Sequence, residues 1–177
     1  HDNSAQETGG GIYASSSLSI ASSWISDNTA VGSGGGLYAT LVSPQIDECS
    51  FWGNSAENGG GIALEATTTS SFFANRVKAS EFWLNNATIN GGALWLNGAG
   101  EQFLKEDLLV LNVAGSDGGG IWVTGGQSHL TFVRAWHNEA AGIGGGALIN
   151  GANGGKTRRS SFGGNIVASG SLLQLVV

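Results

Sequence analysis

The sequence predicts an all-β fold, a parallel β-helix (solenoid) of about six to seven turns with 25–31 residues each. Three observations lead to this prediction: a recurring Gly triplet, an Asn at a nearly fixed distance before it, and apolar residues at period two between them. A repeat of 20–50 residues is typical of solenoid and array architectures. We therefore expect residues 1–177 to form one β-helical domain.

The Gly triplet is followed each time by an aliphatic or small residue. Glu57-Asn58-Gly59-Gly60-Gly61-Ile62 is one copy, and a worn copy, Asn90-Gly91-Gly92-Ala93, fills the one gap. Gly adopts positive φ and permits close approach of backbones, and the corner of a tight coil requires both. The five intact triplets are residues 9–11, 34–36, 59–61, 118–120 and 144–146.

A file of Asn residues predicts a polar ladder. Successive members are 25, 26, 31, 27, 26 and 27 residues apart, and a small residue follows most of them two positions later. A buried amide without a partner costs about 1–3 kcal/mol, so we expect these side chains to hydrogen-bond to one another from turn to turn. The members are Asn3, Asn28, Asn54, Asn85, Asn112, Asn138 and Asn165.

Apolar residues at period two predict strands with one face in the core. Equivalent positions should stack about 4.8 Å apart from turn to turn. After the triplets, the predicted inward files are Ile12, Leu37, Ile62, Ala93, Ile121 and Ala147, then Ala14, Ala39, Leu64, Trp95, Val123 and Ile149. Three residues before each Asn, the third file is Ile25, Phe51, Phe82, Leu109, Ala135 and Phe162.

The positions between the inward residues predict an apolar outer surface. Large regular patches of this kind indicate a protein or subunit interface or stacking on glycan rings, unless loops of the same chain cover them. One outer file is Tyr13, Tyr38, Ala63, Leu94, Trp122 and Leu148, and another contains Trp52, Trp83 and Trp136.

The two ends of the repeat array predict head-to-tail association. The chain opens in mid-repeat and closes on an apolar strand without Pro or charge, so both ends should present unpaired strand edges. We expect either a segment of a longer chain or a unit capped by its neighbours. The candidate end-stacking residues are Leu172, Leu173, Leu175 and Val176.

Composition favours an extracellular or cell-surface protein. Charged residues make up 11% and the net charge is −6, which argues against a nucleic-acid partner. Lys156, Arg158 and Arg159 are interpreted as a solvated loop, and the lone Cys49 as a small buried residue. No apolar run approaches 18 residues, so no membrane span is expected.

The acids and histidines form no recognisable catalytic or metal-binding pattern. Glu48 and Glu106 occupy equivalent places two turns apart, with Ala79 between them, and the pairs Asp47-Glu48 and Glu106-Asp107 are interpreted as surface acids at turns. Inverting glycosidases need two carboxylates about 6.5–9.5 Å apart. His1, His129 and His137 lack ligand spacing. We therefore expect no cofactor and no metal.

Alternating Phe-x-x-Asn and Gly-Gly-(Gly/Ala)-(Ile/Leu) motifs resemble the repeats of polymorphic outer membrane proteins. Phe51-x-x-Asn54, Phe82-x-x-Asn85 and Phe162-x-x-Asn165 carry the resemblance, whereas Ile25, Leu109 and Ala135 replace Phe elsewhere. The resemblance implies a right-handed parallel β-helix of the pectate-lyase-like superfamily.

The predicted function is a non-enzymatic extracellular structural or adhesive module. It would associate through its strand ends and outer aromatic files, as a fibre subunit or a segment of a surface stalk. The alternatives are a carbohydrate-active β-helix, either a polysaccharide lyase or a glycoside hydrolase, and a glycan-binding adhesin.

Overall fold

A computed structural model describes residues 1–40, 43–66, 74–98, 100–150, 155–168 and 175–176. In these ranges the chain forms strands and no helix, and every strand pair is parallel. Strands of one turn pair with the equivalent strands of the next turn, which makes a β-solenoid of about six turns. The predicted all-β class and parallel solenoid architecture are confirmed.

Each turn contributes one short strand to each of four sheets, which we label A to D in chain order. Sheet A contains β1 (Ser4–Ala5), β5 (Thr29–Ala30), β9 (Ser55–Asn58), β13 (Asn86–Asn90), β17 (Val113–Ala114), β21 (Glu139–Ala140) and β25 (Ile166–Val167). Sheet B contains β2 (Ile12–Ala14), β6 (Leu37–Thr40), β10 (Ile62–Ala66), β14 (Leu94–Gly98), β18 (Ile121–Thr124), β22 (Ala147–Asn150) and β26 (Leu175–Val176).

The other two sheets have six strands each. Sheet C contains β3 (Ser19–Ala21), β7 (Gln45–Asp47), β11 (Ala74–Lys78), β15 (Glu101–Lys105), β19 (Gln127–Thr131) and β23 (Lys156–Arg158). Sheet D contains β4 (Trp24–Ser26), β8 (Ser50–Trp52), β12 (Glu81–Trp83), β16 (Leu108–Val110), β20 (Arg134–Trp136) and β24 (Ser161–Gly163).

The core is built from residues that repeat at the same place in every turn. In sheet D the strand register joins Ile25, Phe51, Phe82, Leu109, Ala135 and Phe162 into one inward file, as predicted. Phe51 and Phe82 are fully buried, and their rings stack with centroids 5.1 Å apart. Because each strand is only a few residues long, burial of these shared files stabilises the coil more than any single strand pair does.

The predicted register is wrong in the worn repeat. Ile62 pairs with Leu94 and not with Ala93, and Leu64 pairs with Leu96, so Leu94 and Leu96 are the inward residues. Ala93 takes the place of the third Gly, because Gly61 donates its N–H to the Ala93 carbonyl. The outward position belongs to Trp95, which pairs with Ala63 and Trp122.

The first two Gly residues of each triplet have different backbone reasons. The first lies in the left-handed region, with φ of 71° at Gly34 and 61° at Gly59, where a side chain would be strained. The second passes close to the next turn: a Cβ on Gly35 would lie 2.5 Å from the Ser55 carbonyl oxygen. The worn copy keeps both Gly residues and loses only the third.

Two further corners in each turn also use a left-handed residue, most of them not Gly. The corner between sheets C and D places Ser22, Glu48, Ala79, Glu106, Phe132 and Arg159 at φ between 47° and 63°. The corner between sheets D and A places Asp2, Asp27, Gly53, Leu84, Leu111, His137 and Gly164 at φ between 55° and 63°. After each of these residues, the next side chain occupies the inside of the corner.

The predicted loop at Lys156, Arg158 and Arg159 is wrong. Lys156 and Arg158 belong to strand β23, which pairs with β19, and Arg159 is the corner residue that follows. The pairing register of β23 with β19 therefore determines where these cations lie, and the loop-like composition of this stretch does not.

Candidate functional site

The Asn file is a continuous buried ladder, as predicted. Each Asn from Asn3 to Asn138 donates its backbone N–H and a side-chain N–H to the Oδ1 atom of the equivalent Asn one turn later, at 2.9–3.1 Å. From Asn28 onward the side chains are at most 4% exposed. The ladder joins Asn3, Asn28, Asn54, Asn85, Asn112, Asn138 and Asn165.

An internal Asn uses its whole hydrogen-bonding capacity. Asn54 accepts two bonds from Asn28 at Oδ1, donates one Nδ2 hydrogen to Asn85 and donates the other to the Ile25 carbonyl. The same backward bond joins Asn85 to the Phe51 carbonyl. No capacity is left for a substrate, so the ladder has a structural role.

The predicted outer residues of sheet D form a stack of indole rings. Trp52 and Trp83 stack with centroids 5.9 Å apart and planes 22° apart. Trp24, which sequence reasoning missed, extends the stack at 6.2 Å from Trp52 and is 65% exposed. Trp136 lies in the same file but is separated from Trp83 by Val110.

The predicted outer residues of sheet B form two shorter stacks. Tyr13 and Tyr38 stack at 5.7 Å, and Trp122 stacks at 5.6 Å on Trp95, with planes only 4° apart. Ala63 lies between the two pairs. The contribution of Trp95 was missed because the worn triplet shifted its predicted register by one residue.

The two aromatic surfaces are not brought together. Along the chain, sheet B is followed by sheet C and then by sheet D, so the Tyr and Trp stacks lie on different sides of the coil. Stacked rings cover one another's faces, which leaves ring edges and the end of each stack for a ligand. This geometry leaves little free ring face for stacking on successive glycan rings.

The acids of the two predicted carboxylate pairs have different environments. Glu48 and Glu106 are exposed corner residues in one file, and Glu106 forms an ion pair with Lys105 at 3.3 Å. The interpretation of Asp107 as a surface acid is wrong, because this side chain is fully buried. Its Oδ1 accepts the Ser80 N–H at 2.9 Å, whereas Oδ2 has no hydrogen-bond partner among the described residues.

Burial raises the pKa of Asp107 to about 8. The Ser80 and Lys105 backbones oppose this shift, and the nearby Glu106 and Asp47 carboxylates add to it. A pKa of about 8 keeps the carboxyl mostly protonated at pH 7. Burial also raises the pKa of the Cys49 thiol, which donates to the Asp47 carbonyl and packs in the core as predicted.

The candidate end-stacking residues are only partly described. Leu175 and Val176 form strand β26, whose backbone pairs with Ala147 and Leu148 of β22. Leu172 and Leu173 lie outside the described residues. The described part of the last turn therefore continues the solenoid through sheet B.

The described residues contain neither a cluster of metal ligands nor a membrane-spanning helix. Within the described ranges, no three His, Cys, Asp or Glu side chains are grouped closely enough to hold a metal ion. His129 stacks on Phe103 at 4.8 Å instead. In that part of the chain, no helix is long and apolar enough to cross a membrane.

Comparison with known protein families, curated proteins and solved structures finds no match to this chain.

Proposed function

We propose that this chain is a non-enzymatic structural module of an extracellular β-solenoid, which extends by adding further turns at its open strand edges. The added turns belong to a second copy in a fibre or to the continuation of a surface stalk. The observation that carries this proposal is the uniform parallel pairing of every turn with the next. A regular ladder of this kind offers the next turn the same backbone pattern at each end.

The Asn ladder supports directional, head-to-tail stacking. All its forward bonds run one way, from the backbone and Nδ2 groups of one Asn to the Oδ1 of the next. Among the described residues, Asn3 Oδ1 accepts no ladder bond, and Asn165 donates only its backward bond to Ala135. The first ladder residue thus presents an acceptor, and the seventh presents donors. Complementary, unlike ends generate a filament when the contact does not close into a ring.

The open face of the first turn also carries core side chains. Ile12, Ala14, Leu18 and Ile20 are packed against the core but only partly buried. A turn stacked in front of the first turn would complete their burial, which contributes roughly 25 cal/mol for each Å² of apolar surface removed from water. Charge complementarity adds to this contact, because eight of the 13 acids lie in residues 1–89 and five of the seven bases in residues 90–177.

The test is the assembly state of the 177-residue chain. Sedimentation velocity should show oligomers that grow with protein concentration. Electron microscopy should show rods that lengthen over the same concentration range. The substitution Ile20→Lys places a charge on the open face and should abolish this growth. Val31→Lys is the matched control, because Val31 is 62% exposed and points outward.

The native chain alone can contradict the fibre form of the proposal. A protein that stays monomeric at every concentration would exclude self-stacking, whatever the variants do. Rods that form equally well from Ile20→Lys would show that a different surface assembles. Far-UV circular dichroism of each variant checks that the central turns remain β-structured.

Three further assignments, of family, handedness and role, are part of the same proposal. Relationship to polymorphic outer membrane protein repeats, a right-handed coil and an adhesive role at a cell surface all fit a repetitive coil with a low charge content. The alternation of Phe-x-x-Asn with Gly triplets supports them, because both motifs have defined places in the corner and core.

A further inference from the structure

A cluster of cations lies at the corner between sheets C and D in the last described turns. We define this basic corner as Arg134, Lys156, Arg158 and Arg159, all four of which are exposed. Strand register places Lys156 beside His129 and Arg158 beside Thr131, while Arg134 begins the strand after the same corner one turn earlier. Arg159 occupies the corner itself. Residues 25 positions apart in sequence therefore share one surface.

The basic corner is not neutralised by the chain. Of the other bases, Arg76 pairs with Asp47 at 2.6 Å and Lys105 pairs with Glu106 at 3.3 Å. None of the four cations of the basic corner forms an ion pair with an acid in the described part of the chain. The concentration of positive charge is notable because the whole chain has a net charge of −6.

The cations surround a groove. One depression of about 470 Å³ is lined by Glu106, Phe132, Arg134, Arg159 and Ser161. A second, of about 540 Å³, shares Phe132 and Arg159 with it and adds Thr131 and Arg158. A third, of about 270 Å³, shares Thr131 and Arg158 with the second and adds Phe103, His129 and Lys156. The shared residues make the three depressions one continuous groove around the corner.

One guanidinium is held in place within this groove. The Arg159 guanidinium carbon lies 5.5 Å from the centre of the Phe132 ring, in a cation–π contact. Phe132 is itself fixed by its place at the corner, with φ of 57°. An oriented guanidinium presents paired N–H donors that match the two oxygens of a carboxylate or sulfate group.

We propose that the basic corner binds an acidic polysaccharide, with carboxylate or sulfate groups on the guanidinium groups. The hydroxyl groups of Thr131 and Ser161 supply hydrogen bonds to sugar hydroxyls between the charged groups. The site faces outward from sheets C and D, so it remains accessible whether or not further turns stack on the module. The proposal therefore does not depend on self-assembly.

Charge density favours a polysaccharide over nucleic acid. Duplex DNA carries one negative charge for about every 1.7 Å of its axis, and the four cations of the basic corner neutralise only a few of these charges. The groove also contains Glu106, which opposes a continuous row of anions. A chain with acidic groups separated by neutral hydroxyl-bearing segments fits four cations better.

The experiment measures binding of two defined probes to the 177-residue chain. Isothermal titration calorimetry with a heparin oligosaccharide tests sulfate groups, and a polygalacturonate oligosaccharide tests carboxylate groups. At least one probe should bind, and its affinity should fall with increasing salt because ion pairs on a surface are screened. Neutral dextran should not bind.

Variants locate the site. Arg134→Gln/Arg158→Gln/Arg159→Gln should weaken binding of the acidic probe by about tenfold or more, since three charge-assisted contacts are lost. The matched control is Arg76→Gln/Lys78→Gln, which removes two cations from the outer face of sheet C two to three turns away. This control should retain the affinity of the native chain. Circular dichroism checks that both variants fold.

Four outcomes would overturn the proposal. They are the absence of binding by both acidic probes, an equal loss of affinity in the triple variant and its control, equal binding of neutral dextran, and tighter binding of a single-stranded oligonucleotide than of either acidic probe. The last result would identify the groove as a nucleic-acid site. None of the four depends on whether the module forms rods, so the two proposals fail separately.

Discussion

Two corners of the coil have the same backbone but different side-chain chemistry. At the corner between sheets D and A, a left-handed residue precedes Asn in every turn; at the corner between sheets C and D, a left-handed residue precedes Ser, Cys, Asp or Val. We call these the Asn corner and the mixed corner. The inner residues of the mixed corner are Ser23, Cys49, Ser80, Asp107, Val133 and Ser160.

Both corners solve the same hydrogen-bonding problem. In each, a backbone N–H on the inside of the corner donates to the side chain of the equivalent residue one turn later, wherever that side chain carries an acceptor. Asn54 thus donates to Asn85 Oδ1, Cys49 to Ser80 Oγ, and Ser80 to Asp107 Oδ1. A second bond returns to the chain in the mixed corner, where Ser80 Oγ donates to the Lys78 carbonyl.

The difference between the corners lies in how a side chain connects to the following turn. An Asn amide accepts from one neighbour and donates to the next, so identical residues propagate the ladder without limit. A hydroxyl has a single hydrogen, which Ser80 and Ser160 donate to a nearby backbone carbonyl. The mixed corner therefore links each pair of turns separately and tolerates a change of residue, whereas the Asn corner does not.

The largest expected effect comes from removing one amide of the ladder. Asn85→Ala deletes bonds to Asn54, Asn112 and the Phe51 carbonyl, which leaves several buried polar groups without partners. We expect a loss of about 4 kcal/mol in the free energy of unfolding, since each such group costs about 1–3 kcal/mol. Urea denaturation followed by circular dichroism measures this loss.

The adjacent residue provides the control for this measurement. Asn86 is exposed on sheet A, and Asn86→Ala should change the stability by no more than about 0.5 kcal/mol. Similar losses for the two variants would mean that the ladder bonds contribute nothing beyond an ordinary Asn side chain.

The second effect depends on pH and concerns Asp107 in the mixed corner. Its pKa is about 8 in the folded chain, above the ordinary value of 3.8, so the folded state holds the proton more tightly. Stability contributed by the neutral carboxyl is fully present below pH 3.8 and is lost as pH rises to about 8. The expected loss is on the order of 3 kcal/mol, because one pKa unit corresponds to about 1.4 kcal/mol and local opening reduces the full effect.

The variant Asp107→Asn isolates this carboxyl from the other charges near the corner. The other charged groups near this corner, on the corner itself and on the neighbouring strands, stay unchanged in the variant. They are the acids Asp47, Glu48, Glu81 and Glu106 and the bases Lys78, Lys105 and Arg134. The stability of the native chain relative to Asp107→Asn should fall between pH 4 and pH 8 and then level off. A relative profile that is flat, or that rises with pH, would contradict a buried neutral acid.

The smallest expected effect on stability comes from adding a hydrogen-bond acceptor at Val133, where the mixed corner lacks one. Val133 is fully buried and lacks an acceptor, whereas Ser80 supplies one to the preceding turn at the same position. Val133→Thr keeps the shape and adds a hydroxyl that can accept the Asp107 N–H, so stability should rise by about 0.5–1 kcal/mol. Thermal unfolding of both proteins measures this gain.

A second valine shows whether position matters. Val77 is also buried, but it lies in the middle of strand β11 and not at a corner. Val77→Thr should lower stability by about 1–2 kcal/mol because the new hydroxyl has no ladder donor to satisfy. If both valine substitutions destabilise alike, Val133 is an ordinary core residue.

Much of the fold could be predicted because the repeats use the same residue at the same place. The Asn file and the Phe file are visible by inspection, and their spacing predicts which residues stack. The prediction failed where one repeat changed its Gly triplet. A shift of one residue there exchanged Leu94 with Trp95 and moved an aromatic ring from the core to the outer surface.

The candidate sites were less predictable. Lys156 and Arg158 follow a Gly-rich stretch that is typical of a loop, and Arg134 is more than 20 residues away in sequence. Only strand register places them around one groove. Asp107 likewise has the composition of a surface acid pair, and its burial depends on the direction in which the corner turns.

The sequence by itself determined the number of turns, the Asn corner and the Gly corner. Those features follow from residue types with few alternatives: Gly where φ is positive and backbones touch, and Asn where one amide must both donate and accept. The tertiary structure alone decided the other left-handed positions, such as Leu84, Phe132 and His137. Nothing in these side chains favours positive φ; the hydrogen bonds to the turns on either side hold the backbone there, because each corner must repeat the shape of its neighbours.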